Sequence, residues 1–241
     1  MIKTIFVFSY AALSMIILVP FGFIALIFHF MGLRKLMTWV ISRLCQVWGR
    51  LLIKIIGAAV TVTGKENIPK EGGVCFVSNH SSYFDIVLML AYCDKPMGFI
   101  AKKELLFIPF LNCWIFMLGG LFIDRKNIKK AVRTINRGVE KIKSGSWMLI
   151  YPEGHRSKGL GLLPFHPGSL KLATMAEAVI VPVAIKGSYD VFERNYRIKS
   201  VPVNVTFCES IDTSSLPAGE RKLILSDKIF YVIKKQLEKD E

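Results

Sequence analysis

The run Asn79-His80-Ser81-Ser82-Tyr83-Phe84-Asp85 places a histidine five residues before an aspartate, directly after the apolar stretch Val74-Cys75-Phe76-Val77. An imidazole is the side chain whose ordinary pKa lets it take a proton from an attacking hydroxyl near neutral pH. A carboxylate bonded to its other ring nitrogen fixes the tautomer and stabilises the imidazolium that forms. Asp85, at the predicted start of a helix, is placed to turn back on His80 in that role. No nucleophilic serine is needed if the substrate itself supplies the hydroxyl. A histidine and an aspartate at this spacing also occur as plain structural residues, so the rest of the chain has to decide between the two readings.

A second constellation, Tyr151-Pro152-Glu153-Gly154-His155-Arg156-Ser157, again follows an apolar stretch and leads into the glycine-rich turn at 159–161. Gly154 lets the backbone come close to a ligand, and Arg156 offers a planar fork matched to phosphate oxygens. Without context the same residues make a surface turn with solvated charges. Ile123-Asp124-Arg125 delivers an arginine to the end of a predicted strand, and Lys102 and Lys103 lie on an earlier connection. Val181-Pro182-Val183-Ala184 carries no reactive group, and a proline inside an apolar strand points to an edge or a bulge.

From about residue 57 onward, short β-rich runs alternate with helical ones, which predicts α/β or mixed architecture. Residues 60–62, 74–78, 99–101, 121–123, 147–151, 179–185 and 201–207 read as strands. Residues 84–91, 110–118, 127–143 and 222–238 read as helices. The segment at 127–143 is the clearest, with Ile128, Val132, Ile135, Val139 and Ile142 at steps of four and three and cations on its other faces. Each chemistry-bearing run except the proline block therefore falls just beyond a strand.

Before this region, residues 5–30 carry no charged side chain, a run of membrane-spanning length interrupted by Pro20 and Gly22. Residues 36–56 mix Arg43, Arg50 and Lys54 with apolar residues at helical spacing, as an interfacial amphipathic helix does. Two core helices are the plainer alternative. The two segments predict a membrane-anchoring hairpin at 1–56, with Arg34 and Lys35 holding its bend on the cytoplasmic side, and a catalytic domain at 57–241.

The 241 residues hold 32 lysines and arginines against 18 acids, a net charge of +14, and mean hydropathy is +0.43. Such an excess of cations draws a protein to a polyanion, and the apolar N-terminus selects anionic lipid over nucleic acid. Cys45, Cys75, Cys93, Cys113 and Cys208 form no C-x-x-C pair and lie mostly in apolar stretches. They read as small core residues of a reducing compartment, with no metal site or disulfide framework.

Taken in order, these blocks resemble the glycerophospholipid acyltransferase family. Residues 79–85 match its N-H-x-x-x-x-D motif, and 103–125, with Pro109, Gly119 and the Ile-Asp-Arg end, match its second block. Residues 152–157 are similar to the third, usually P-E-G-T-R-S, and 181–184 to the fourth. The resemblance spans roughly residues 57–210. It implies a mixed central sheet flanked by helices, with His80 as general base and Asp85 as its partner. Lys103, Arg125, Glu153, Gly154, His155 and Arg156 would then bind the acceptor and its phosphate.

The implied reaction moves a fatty acyl group from a CoA or acyl carrier protein thioester to the sn-2 hydroxyl of 1-acylglycerol-3-phosphate. It gives phosphatidic acid without a cofactor, on the cytoplasmic face of a bacterial inner membrane. Three positions depart from the usual pattern: His155 for threonine, Asn112 for glycine and His166 for lysine. They leave the dyad intact and bear on the acceptor. Another lysophospholipid or a lyso-ornithine lipid as acceptor, a silent lipid-binding scaffold, and a hydrolase of thioesters or esters stay open as alternatives.

Overall fold

The computed structural model describes residues 1–166 and 168–239. The side chains of 29, 34, 35 and 218–223 lie outside it, and with them the bend cations Arg34 and Lys35.

Strands β2 (Val74–Ser78) and β5 (Trp147–Ile150) are buried along their whole length, and so is most of β6 (Val179–Lys186). Continuous apolar runs of this kind, without alternation, belong to parallel strands covered on both faces. With β3 (Met97–Lys102) and β4 (Leu121–Ile123) they form a parallel array in the order β6-β2-β5-β3-β4. Beyond β6, strand β7 (Pro202–Phe207) runs antiparallel and then pairs in parallel with β1 (Ala59–Thr63), while the short β8 (Ile211–Asp212) pairs with the start of β6. All five parallel strands end at one edge of the sheet, where the open-sheet geometry leaves a crevice.

Helices cover both faces. On one, α3 (Phe84–Tyr92) and α4 (Leu111–Met117) share a core with α1 (Ile2–Phe30), α2 (Arg34–Ile56) and Val191 of the short α7 (Ser188–Val191). On the other, α5 (Ile128–Lys143), α6 (Lys171–Ala176) and α8 (Ala218–Lys239) enclose a second core. Asn127 caps α5 by accepting from the Lys130 amide at 3.0 Å. Four of the five cysteines are buried, three of them (Cys45, Cys75 and Cys93) in these two cores, as their apolar surroundings predict.

The N-terminal run folds as one continuous helix through Pro20 instead of breaking there. Gly22 is where α1 meets α4: a β-carbon there would stand 2.4 Å from the Met117 sulfur. The Trp114 indole donates to the Met15 carbonyl and the Trp48 indole to Ser14. Much of the apolar side of α1 still faces outward, and residues 2–28 form the one described helix long and apolar enough to cross a membrane. Helix α2 is anchored from the other side. Ile41, Leu52 and Ile56 are buried, Gly49 lies against Ala91, and Arg50 donates to the Ala91 carbonyl.

Of the two expectations for Pro182, the edge is excluded because β6 lies inside the sheet, and the bulge is found: between the Val183–Phe207 and Ile180–Ile211 pairs the partner side has three residues opposite two of β6. On its outer side β8 pairs with Val179 and Ile180 and β7 with 183–186, so Pro182 falls in the gap between the two ladders. Its carbonyl accepts from the Cys208 amide on that side at 2.8 Å. A strand residue points its N–H and C=O the same way, so the donor that proline lacks would have faced the gap.

Candidate active site

Each parallel strand hands one part of the site to the common edge: His80 after β2, Lys103 after β3, Arg125 after β4, residues 151–156 after β5 and Glu193 after β6. His80 Nδ1 lies 2.8 Å from Asp85 Oδ2, and the same oxygen accepts from the amides of Ser81 and Ser82 at 2.8 and 2.9 Å. Those amides make Oδ2 an acceptor, so Nδ1 carries the proton and donates it. Nε2 is left with its lone pair outward, the tautomer a general base requires. Asp85 is fully buried, and its Oδ1 has no partner among the described residues.

The imidazole plane is fixed by Tyr151, whose ring stacks on it at 3.9 Å between centroids and 17° between planes. Burial, with the charge of Asp85 adding to it, pushes the Tyr151 phenol well above its usual range, so it stays protonated. The peptide of His80 is held as firmly. Its N–H donates to Glu153 Oε1 at 2.6 Å, and its carbonyl accepts from the Ser157 amide at 2.7 Å. Asn79, just before it, bonds both the N–H and the C=O of Ile185 and so ties the end of β2 to β6.

Glu153 is placed differently from the acceptor ligand that the resemblance implies. It is 1% exposed, with Oε1 taken by His80 and Oε2 by the Leu163 amide at 3.0 Å, so it joins the two motif loops from beneath. Burial pushes its carboxyl up to about 7 from 4.5, against the pull of the two amides and with a further push from the charge of Asp85. Between those values the unfolded chain ionises this group while the folded protein keeps its proton. The folded state then binds more protons, and stability falls as pH rises through the window. A rise from 4.5 to about 7 corresponds to about 3 kcal/mol. Unfolding of wild type and Glu153→Gln between pH 4.5 and 7.5 should therefore show the wild type losing about that much relative to the variant; a pH-independent difference rejects this ionisation.

The cations form a rim. Lys103 pairs with Asp124 at 2.8 Å, a bond that raises the lysine and lowers the aspartate. Arg125, next in the chain and exposed, donates to the Gly154 carbonyl. Gly154 has φ of +71°, and the His166 ring lies where a β-carbon would stand, so glycine is required there. His155 is exposed, its ring centroid 6.1 Å from that of His166. Asn112, the third departure, donates to the Leu106 carbonyl in the turn before α4.

Arg156 turns back toward the base loop. It lies 3.6 Å over the Tyr83 ring and pairs with Glu193 at 3.3 Å. Glu193 went unnoticed in the sequence. Buried at 8% exposure, it also accepts from the Tyr83 amide and the Ser82 hydroxyl, each at 2.8 Å, and so fastens the start of α3. An acid shortly after the predicted strand at 179–185 was the one signal for it. Removing this carboxylate strands two donors and a guanidinium that is 21% exposed. Glu193→Ala should therefore cost about 3 kcal/mol in urea unfolding, and a change below about 0.5 kcal/mol, typical of a surface site, would contradict the arrangement.

A family model described as Acyltransferase matches residues 59–186. The chain is 28% identical over 200 residues to a 1-acyl-sn-glycerol-3-phosphate acyltransferase of Borreliella burgdorferi, covering 83% of this chain and 79% of that protein. It is 33% identical over 172 residues to the protein of that name from Escherichia coli, covering 70% and 69%. The crystal structure of the 1-acyl-sn-glycerophosphate acyltransferase PlsC from Thermotoga maritima superposes with a TM-score of 0.81 at 27% identity, over 99% of this chain and 96% of that one. The matched region contains the dyad and the whole cationic rim, and the chain belongs to the acyltransferase family.

Proposed function

We propose that this acyltransferase moves a fatty acyl group from an acyl thioester to the sn-2 hydroxyl of 1-acylglycerol-3-phosphate, giving phosphatidic acid. The observation that carries the mechanism is the His80–Asp85 pair at 2.8 Å, with Nε2 unengaged among the described residues. Nε2 takes the hydroxyl proton as the oxygen attacks the thioester carbonyl, and Asp85 stabilises the imidazolium. The tetrahedral intermediate collapses with cleavage of the C–S bond, and the imidazolium returns the proton to the departing thiolate. An ester and a free thiol result.

Lys103, Arg125, His155 and the free donors of Arg156 receive the acceptor's phosphate, with the Gly154 backbone approaching closely. Glu153 acts from behind by holding the His80 peptide. Acyl-CoA or acyl carrier protein supplies the acyl group, and no cofactor takes part. Residues 1–56 anchor the enzyme to the inner membrane of a bacterium and 57–241 carry out catalysis on the cytoplasmic face, a reading supported by the outward apolar side of α1. The name shared by the relatives supports the acceptor. The two histidines at the rim favour testing other lysolipids beside it.

The test supplies labelled palmitoyl thioester to the detergent-purified protein with lysophosphatidic acid, other lysophospholipids, a lyso-ornithine lipid or no acceptor, and follows product and free thiol. Labelled phosphatidic acid is expected, with thiol release dependent on acceptor. Free fatty acid formed without any acceptor would make the protein a hydrolase. Failure to acylate any lysolipid would return it to a lipid-binding role.

A further inference from the structure

The apolar stripe of α5 is only half covered. Val139 and Ile142 are 5% and 2% exposed, yet Ile128 and Val132, in the first two turns of the same helix, are 79% and 52% exposed. Beside them stand Lys129, Arg133 and Arg137, each four residues from the next, all exposed and without an ion pair among the described residues. Like charges stacked at this spacing destabilise a helix, so the fold keeps them against its own interest unless something anionic meets them. The ridge begins at the site: α5 starts three residues after Arg125, whose guanidinium holds the Gly154 carbonyl.

From these observations, and resting on the acyltransferase reading above, we infer that the N-terminal half of α5 is the docking surface for an acidic carrier protein that delivers the acyl thioester. Two features favour such a protein over other anions. The cations run in a line along a helix, about 12 Å from Lys129 to Arg137 at 1.5 Å per residue. They do not converge on one point as a nucleotide's phosphates would require, and the bare isoleucine and valine beside them suit a protein surface with apolar residues of its own. A membrane is the poorer partner, because α5 lies on the sheet face opposite to α1 and α2, whose outward side chains make the large apolar surface. Charge complementarity of this type acts chiefly on encounter and selection, so it governs the donor's KM more than turnover.

The test compares wild type, Lys129→Glu/Arg133→Glu and Ile128→Ser/Val132→Ser, each full length in detergent with lysophosphatidic acid as acceptor. Donors are palmitoyl-loaded bacterial acyl carrier protein and palmitoyl-CoA, and sedimentation with phosphatidylglycerol vesicles is measured in parallel. Both variants should raise KM for the carrier-borne donor about tenfold or more while KM for palmitoyl-CoA stays within about twofold. Vesicle binding should be unchanged. Equal losses with both donors would make the ridge part of the general donor site, and loss of vesicle binding would make it a membrane contact; either overturns the proposal, as does no change. If wild type uses palmitoyl-CoA and not the loaded carrier, docking fails and the enzyme reading stands. If it uses neither, the enzyme reading itself has failed.

Discussion

His80→Ala is expected to lower turnover by about 10² to 10⁴ while leaving the protein folded. The two effects separate because the residue serves the structure through its peptide and the reaction through its ring. The bonds to Glu153 and Ser157 are made by backbone atoms and survive truncation of the side chain. What disappears is Nε2, for which no other side chain substitutes, and the face against which Tyr151 stacks. Labelled phosphatidic acid per enzyme, read beside the melting curve, checks both halves. A folded variant with near-normal turnover would remove His80 from the mechanism. A variant that no longer folds would mean that the stack on Tyr151, and not the backbone bonds, holds the loop.

Asp85→Asn is expected to cost about 10² in turnover, and Asp85→Ala to cost stability as well. Two backbone amides aim at Oδ2, so an asparagine must place its carbonyl oxygen there and its NH₂ where Oδ1 stands. The imidazole then keeps its acceptor and its tautomer, and only the charge that stabilises the imidazolium is lost. The vacated Oδ1 position offers no partner to the new donor, which should cost about 1 to 3 kcal/mol of stability. Alanine strands both amides and the Nδ1 proton, so its unfolding should come earlier than that of asparagine. Equal turnover in wild type and Asp85→Asn would show that the carboxylate's charge plays no part in the rate.

The parts of this site legible in the sequence are the local ones. His80 and Asp85 meet because they are five residues apart at a strand-to-helix turn, and the strands were visible because doubly covered strands are apolar throughout. Helix α5 was legible from its period, although the period does not say that half of its stripe is left bare. The contacts that place the dyad were hidden, since Glu153 reaches His80 across 73 residues and Glu193 reaches Tyr83 across 110. Glu153 looked like a ligand because its motif is polar and follows a strand, and nothing local shows that both its oxygens turn inward. Pro182 was legible in part: the edge it suggested is absent, but the bulge is there, where two different partners with one extra residue between them leave a gap beside an interior strand. Short elements such as α6, α7 and β8 have too few residues to show a period.

The pairing of β1 with β7 has a consequence for how the molecule comes into being. Ala59 is aligned with Pro202, so the first strand to leave the ribosome pairs with a strand that begins 202 − 59 = 143 residues later. At about 5 to 20 residues per second, β1 waits roughly 7 to 30 seconds before that partner exists. During the wait its backbone donors and acceptors are open to any other strand, and closing so long a loop makes the step slow. Helices α1 and α2, made earlier and bonded within themselves, offer it no strand to pair with. A chain stalled before residue 202 would possess both halves of the dyad and the loop that holds it, yet would carry an open β-edge and be prone to aggregate.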